Sequence, residues 1–277
     1  MIDLLSRDFM RYALIAAVLV GLTAPAVGTF IVQRRLALLG DGIGHVALTG
    51  VALGFLTGSA PVLTAVVVAA LGAVAIELVR ARGRTSGDVA LALLFYGGLA
   101  GGVMLIYLTP GGSTASLNSY LFGAITSVTQ QDVWVIGALA VLVLGVLAVF
   151  GRELFVLCQD EEMARASGLP TRFLGLLIAV VAAVTVVVAM RAVGLLLVSA
   201  LMVVPVATSQ QLTRSFRATL GLSMLFGTMA TVGGLTSSFY VDVPSGATIV
   251  LLALAGFGVA LGVGRFVRRS RTRESTP

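Results

Sequence analysis

The sequence predicts an all-α polytopic membrane protein with about eight or nine transmembrane helices, and three observations carry that prediction. Of its 277 residues, 58% are hydrophobic and only 11% charged, whereas a soluble domain carries about 25% charged residues. The mean hydropathy is +1.07. Uncharged runs recur from end to end, each close to the ~20 residues a helix needs to cross the hydrocarbon core. They are solidly apolar rather than alternating, so helices and not barrel strands are the spanning form.

In order, the expected spans are Phe9–Val32, Leu36–Thr57, Val62–Val79, Asp88–Leu108, Val133–Phe150, Phe173–Met190, Val193–Leu212, Leu220–Phe239 and Ala247–Val267. The second and seventh contain polar residues and are the two open to being broken or re-entrant. An eight-span chain results if one of them is. Arg191 separates the sixth from the seventh by very little. The first run is too long for the apolar core of a signal peptide and lacks a small-residue cleavage site, so it reads as a retained span. Two connections exceed a tight turn, Thr109–Asp132 and Gly151–Arg172. The whole chain, 1–277, reads as one transmembrane domain. It closes on a short basic tail at 268–277 (RRSRTRESTP) whose composition predicts disorder.

The net charge is +6, and all 18 basic residues are arginine. They form short clusters between apolar runs rather than a nucleic-acid patch, so no nucleic-acid partner is expected. With the N-terminus outside, Arg34, Arg35, Arg80, Arg82, Arg84, Arg152, Arg165, Arg172, Arg214, Arg217, Arg265, Arg268, Arg269, Arg271 and Arg273 all fall inside. Only Arg7, Arg11 and Arg191 then lie outside. The positive-inside rule therefore predicts N-out and C-in, in the inner or plasma membrane of a bacterium. The lone Cys158 excludes an internal disulfide framework and a cysteine zinc site, and reads as a small packing residue.

The chemistry concentrates in the second span, in the run from Arg34 to His45 (RRLALLGDGIGH). Asp41 and His45 are four apart, so on a helix they share a face and can grip one ion. Ionisable groups inside membrane segments are costly and tend to line pathways. Carboxylate with imidazole suits Zn²⁺, Mn²⁺ or Fe²⁺, whereas copper(I) favours sulfur. A plainer reading also fits: Asp41 pairs with Arg34 or Arg35, and His45 hydrogen-bonds a neighbouring helix. Gly40, Gly42, Gly44, Gly50 and Gly54 crowd the same run. They serve close helix approach in lipid, or a kink beside an ion. Glu77, near the end of the third span, reaches the interface or pairs with an arginine. Pro205 should bend the seventh span and free a carbonyl.

The segment 158–170 (CQDEEMARASGLP) reads as a short helix with Asp160, Glu161 and Glu162 in its first turn, where negative charge suits the helix dipole. Gly168 caps it and Pro170 prevents its continuation. The bland alternative is an interfacial loop. No phosphate-binding loop of the Walker type is present in the sequence.

Five stretches in order, 30–45 with Gly50 following, Tyr120–Gly123 (YLFG), 160–170, 193–207 (VGLLLVSALMVVPVA) and 242–246 (DVPSG), resemble the membrane subunit of metal-ion ABC importers, the zinc, manganese and iron permeases. The resemblance runs from Phe30 to about Leu252. It implies a type II-like permease that takes a divalent metal, zinc or manganese and possibly iron, into the cytoplasm. Also implied are a second permease copy, two copies of a cytoplasmic ATP-binding subunit and an extracytoplasmic metal-binding protein. The metal is cargo, with no permanently bound cofactor and no ATPase activity in this chain. On the same resemblance Asp41 and His45 lie on the translocation path, and two copies offer two of each to one ion. The segment with Asp160, Glu161, Glu162, Met163, Ala164, Gly168 and Leu169 becomes the helix that docks on the ATPase, with Met163 and Leu169 as anchors. Tyr120, Phe122 and Pro205 become candidates for the pore lining. The chain lacks the histidine-rich stretches of some zinc-importing relatives.

Two rivals belong to other classes. A secondary transporter driven by an ion gradient would normally carry carboxylates near the bilayer midplane, and here Asp41 and Glu77 lie toward the span ends while Asp88 sits at a boundary. A membrane metalloenzyme would need three protein ligands and a general base, which one histidine makes improbable.

Overall fold

The computed structural model describes residues 8–81, 87–109, 120–121, 123 and 128–274. Arg7, Arg82, Arg84 and Phe122 lie outside the described residues. The described chain is a bundle of ten helices: α1 Asp8–Gln33, α2 Leu39–Thr57, α3 Pro61–Ala81, α4 Gly87–Leu108, α5 Gln130–Gln159, α6 Glu161–Ala166, α7 Thr171–Val193, α8 Leu195–Leu212, α9 Phe216–Val241 and α10 Ser245–Glu274. Among the described residues, all but α6 are long and apolar enough to cross a membrane, which makes nine. The two spans open to being broken, now α2 and α8, are each one continuous helix.

Four boundaries differ from the expectation, each for a local reason. Helix α5 starts at Gln130 because Thr129 caps it reciprocally: the Asp132 amide donates to Thr129 Oγ1 at 3.3 Å and the Thr129 amide donates to Asp132 Oδ2 at 3.0 Å. It then runs through Gly151 to Gln159, so the expected connection 151–172 begins as helix. Its 30 residues span about 45 Å, well beyond the ~30 Å hydrocarbon core. The break between α7 and α8 falls at Gly194 rather than Arg191, because its φ of 87° with ψ of 150° is a conformation that glycine adopts readily. Helix α10 continues to Glu274, so 268–274 is helical where composition predicts disorder; arginine is a strong helix former.

Lipid gives helices no hydrophobic reason to associate, so they need close backbone approach and interhelical hydrogen bonds. Helix α2 has both. A side chain at Gly98 of α4 would strike the His45–Val46 backbone, and one at Gly50 or Gly54 would strike the start of α3 at Pro61, Thr64 or Ala65. The Thr49 hydroxyl donates across the α2–α4 contact to the Gly98 carbonyl at 2.6 Å. Helices α1 and α9 meet the same way. Pro25 removes a helical donor and frees the Gly21 carbonyl, and Gly227 of α9 lies against that carbonyl and the proline ring. Thr29 and Ser223 share a buried hydrogen bond of 3.1 Å beside it.

Helices α1, α2, α7 and α8 supply fully buried residues such as Val27, Ile43, Ala183 and Val198, while α3, α4, α5 and α10 leave Leu71, Tyr107, Val141 and Leu251 exposed. The second set forms the apolar outside. One end of the bundle collects charge. Arg80, Arg165 and Arg172 surround one cavity there, Arg152 and Arg217 line another beside Phe30, and Arg34 lies one turn beyond Phe30. Six of the arginines assigned to one side from sequence, Arg34, Arg80, Arg152, Arg165, Arg172 and Arg217, lie at this end.

These contacts separate two adjacent glycines. Gly98 has no room for a side chain, whereas Gly97 faces open space. Gly98→Val should destabilise the bundle by about 1–3 kcal/mol, and Gly97→Val should leave it unchanged. Thermal unfolding in detergent measures both.

Candidate functional site

The site begins where α1 ends. Its last turn closes with paired 6→1 and 5→2 hydrogen bonds, from the Leu36 amide to the Ile31 carbonyl at 3.0 Å and from the Arg35 amide to the Val32 carbonyl at 3.0 Å. That closure needs a left-handed residue, and Arg35 fills the place at φ 59° where glycine is usual. The Leu39 amide then donates to the Leu36 carbonyl at 2.8 Å, and α2 starts. The turn sets the position of Asp41, in the first turn of α2.

Asp41 and His45 share a face, with Oδ1 to Nε2 at 3.9 Å. That is too long for a hydrogen bond and short enough for both to touch one ion. The Asp41 carboxylate is about one-third exposed at 32%, and His45 is buried. The imidazole meets the Phe95 ring of α4 edge-on, with centroids 4.3 Å apart and planes at 70°. Its Nδ1 is buried without a hydrogen-bond partner among the described residues. Asp41 does not take Arg34, which turns to Glu77, Nη2 to Oε1 at 3.1 Å. No group of three or more His, Cys, Asp or Glu able to hold a metal occurs among the described residues. One chain therefore offers two ligand side chains on an otherwise apolar helix.

The other candidates lie elsewhere. Tyr120 stacks edge-on against Phe55, with centroids 6.4 Å apart, about 15 Å along α2 from His45. Pro205 is buried in α8 and borders an apolar cavity of about 520 Å³ shared with α9 and α10. Its ring leaves the helix continuous, and Ser209 donates to the Pro205 carbonyl at 2.8 Å.

The short helix forms and is capped at both ends. Asp160 is its N-cap rather than a first-turn residue, accepting from the Glu162 and Met163 amides at 2.8 and 3.0 Å. Gly168 at φ 80° ends it, with Leu169 amide to Ala164 carbonyl and Gly168 amide to Arg165 carbonyl both at 3.1 Å. Ala164 is fully buried and Leu169 packs on the core, so both face the bundle. Glu161, Glu162, Met163 and Gly168 face outward.

Sequence reasoning gave Glu77 an arginine partner as one alternative but missed the ion network that joins these parts. Glu77 accepts from Arg34 at 3.1 Å and from Arg80 at 2.7 Å, and Arg34 also lies 3.9 Å from Glu161. Gly175 of α7 makes the space, since a side chain there would land on the Glu77 carboxylate. The network borders a cavity of about 320 Å³ between α3, α6 and α7. The one signal for it was an acid in an apolar span. Phe95 carried none.

Comparison with known proteins gives consistent results. Residues 6–263 match the model of a family described as the ABC 3 transport family. The chain is 35% identical over 258 residues to a manganese transport system membrane protein of Halalkalibacterium halodurans, covering 93% of this chain and 88% of that one. It is 32% identical to a manganese import system permease protein of Streptococcus gordonii, with 94% of each covered. A solved structure, PsaBC from Streptococcus pneumoniae in complex with Fab, superposes with a TM-score of 0.83 at 33% identity, covering 94% of this chain and 93% of that one.

The ion network predicts its own sensitivity. Removing the Glu77 charge strands Arg34, whose side chain is 5% exposed. Glu77→Leu should cost about 3 kcal/mol or more. Glu162→Gln, on the exposed face of α6, should stay within about 0.5 kcal/mol of the parent. Thermal unfolding of the purified variants measures the difference.

Proposed function

Because the chain belongs to the ABC 3 transport family, we propose that it is the membrane permease of an ATP-driven importer that brings a divalent transition metal, manganese foremost, into the cytoplasm. The observation that carries the reading is the Asp41–His45 pair, an oxygen and a nitrogen donor 3.9 Å apart in the first turns of a membrane-spanning helix. Such donors suit Mn²⁺, Zn²⁺ or Fe²⁺. The names of the two relatives favour manganese among these.

One chain's two side chains leave an ion under-coordinated. A second permease copy related by a two-fold axis supplies the other carboxylate and imidazole. Asp41 provides the charge that attracts the cation and His45 the directional ligand. Phe95 keeps water from one side of the imidazole. A site with few ligands and a partly exposed carboxylate holds its ion briefly, as a carrier must. The arginine-rich end of the bundle is cytoplasmic in this reading, with the N-terminus outside. Asp41 then lies toward the side where the ion is released. The outward residues of α6, with Met163 foremost, dock on a cytoplasmic ATP-binding subunit present in two copies. A metal-binding protein delivers the ion from the other side.

Uptake of Mn²⁺ into proteoliposomes should require the ATP-binding subunit and ATP. Uptake by the permease alone, driven by a proton gradient, would establish a secondary transporter instead. Asp41→Ala and His45→Ala should each abolish uptake while leaving expression and assembly intact. The double variant should add little, because the two residues act as one site. Normal uptake by a folded His45→Ala protein removes the proposed site. Gly168→Pro, which cannot adopt the observed φ of 80°, should reduce co-purification of the ATP-binding subunit without unfolding the bundle. Undiminished co-purification would reduce α6 to a connecting loop.

A further inference from the structure

Arg34 stands between the two parts of the site. It follows the last residue of α1, immediately before the Arg35 turn that leads into α2. Its guanidinium is nearly inaccessible, at 5% exposure, and is bound at Nη2 to Glu77 of α3 at 3.1 Å. The same Nη2 lies 3.9 Å from Glu161, the first residue of α6. Its Nη1 is buried and has no hydrogen-bond partner among the described residues. A buried guanidinium with an unused donor, one firm carboxylate and a second just out of reach has two arrangements available. A shift of α6 by about an ångström brings Glu161 within hydrogen-bond distance. The opposite shift leaves Glu77 alone.

The parts on either side of Arg34 are stiff enough to transmit such a shift. Helix α6 is capped at both ends, with Ala164 buried against the bundle. Asp160 alone joins it to α5. The end of α5 is tied to the end of α1 by Cys158, whose thiol meets the Phe30 carbonyl at 3.4 Å. Phe30 in turn packs edge-on against Phe216 at 5.1 Å, and Phe216 against Phe155 at 4.7 Å. On the other side, the turn from Arg34 to Leu39 is held by its own hydrogen bonds.

We infer that Arg34 is a positioning residue that links movement of α6 to the Asp41–His45 helix, by exchanging its guanidinium contacts between Glu77 and Glu161. The inference rests on the permease reading. The ATP-binding subunit moves α6, Glu161 engages or releases Arg34, and the first turn of α2 follows. Arg34 touches no ion. Its effect is on how much transport each hydrolysis event yields.

The test measures Mn²⁺ uptake per ATP hydrolysed in proteoliposomes holding the full complex, together with co-purification of the ATP-binding subunit and thermal unfolding. Arg34→Gln should assemble and still hydrolyse ATP, with uptake per ATP reduced about fivefold or more. Arg34→Lys, which keeps the charge, should fall between it and the parent. Glu161→Gln should lower the ratio less, and should add nothing to Arg34→Gln. An unchanged ratio in Arg34→Gln, whatever its melting temperature, overturns the inference. So do Arg34→Gln and Glu161→Gln effects that simply multiply. If Arg34→Gln does not fold, Glu161→Gln decides: its half-exposed carboxylate is dispensable for folding, a lowered ratio supports the link, and an unchanged ratio overturns it. A parent complex that takes up no Mn²⁺ overturns the permease reading and the inference with it. A parent that couples, beside an Arg34→Gln variant that couples equally, overturns the inference alone.

Discussion

The approach of α4 to the backbone of α2 is the contact on which the rest of the site depends. Where Gly98 meets His45 and Val46, no side chain fits between the two helices, and the Thr49 hydroxyl closes the gap with a 2.6 Å hydrogen bond. In lipid, apolar side chains gain little by leaving one neighbour for another. Backbone contact and a hydrogen bond are what hold the two helices in a defined register. That register puts Phe95 on the imidazole and leaves the Asp41 carboxylate one-third exposed. A larger residue at position 98 would move both. The glycines of α2 repeat the device against α3, so the helix with the candidate ligands is closely confined on two sides.

A second constraint is electrostatic. A buried guanidinium is costly unless paired, and the chain meets that cost for Arg34 with Glu77, an acid that Arg80 also holds. Three elements far apart in sequence therefore converge: the end of α1, the end of α3 and, at 3.9 Å, the start of α6. Gly175 is the small residue that lets α7 pass this cluster. Charge and glycine thus solve the same problem at the two levels of the site. Glycine brings backbones together within the apolar interior, and ion pairs do so where the helices emerge.

Much of this was legible in the sequence, and the failures have physical causes. The span positions followed from the apolar runs, because hydrocarbon thickness sets helix length. The ends of α5 and α10 did not, since Arg152 and Glu153 mark where apolar character stops, while the helix itself continues through good helix formers. Arg191 read as the divider of α7 from α8 because charge is conspicuous. Gly194 divides them because backbone conformation decides. The spacing of Asp41 and His45 gave their shared face, and Gly168 gave the end of α6. The partner of Arg34 was not readable, because Glu77 lies 43 residues away and only packing brings the two together. For the same reason the inward turn of Ala164 and Leu169 was not readable, whereas the Asp160 cap is a local contact with the Glu162 and Met163 amides of α6.

His45 is the only histidine in the chain, so its role can be read directly. The permease, purified through a tag free of histidine and labelled with ¹⁵N-histidine, can be loaded with Mn²⁺ and examined by pulsed electron paramagnetic resonance. Coordination by the Asp41–His45 pair predicts a ¹⁵N hyperfine coupling on the bound Mn²⁺ that disappears in Asp41→Ala. Bound Mn²⁺ with no nitrogen coupling, or with a coupling that Asp41→Ala leaves intact, would contradict it.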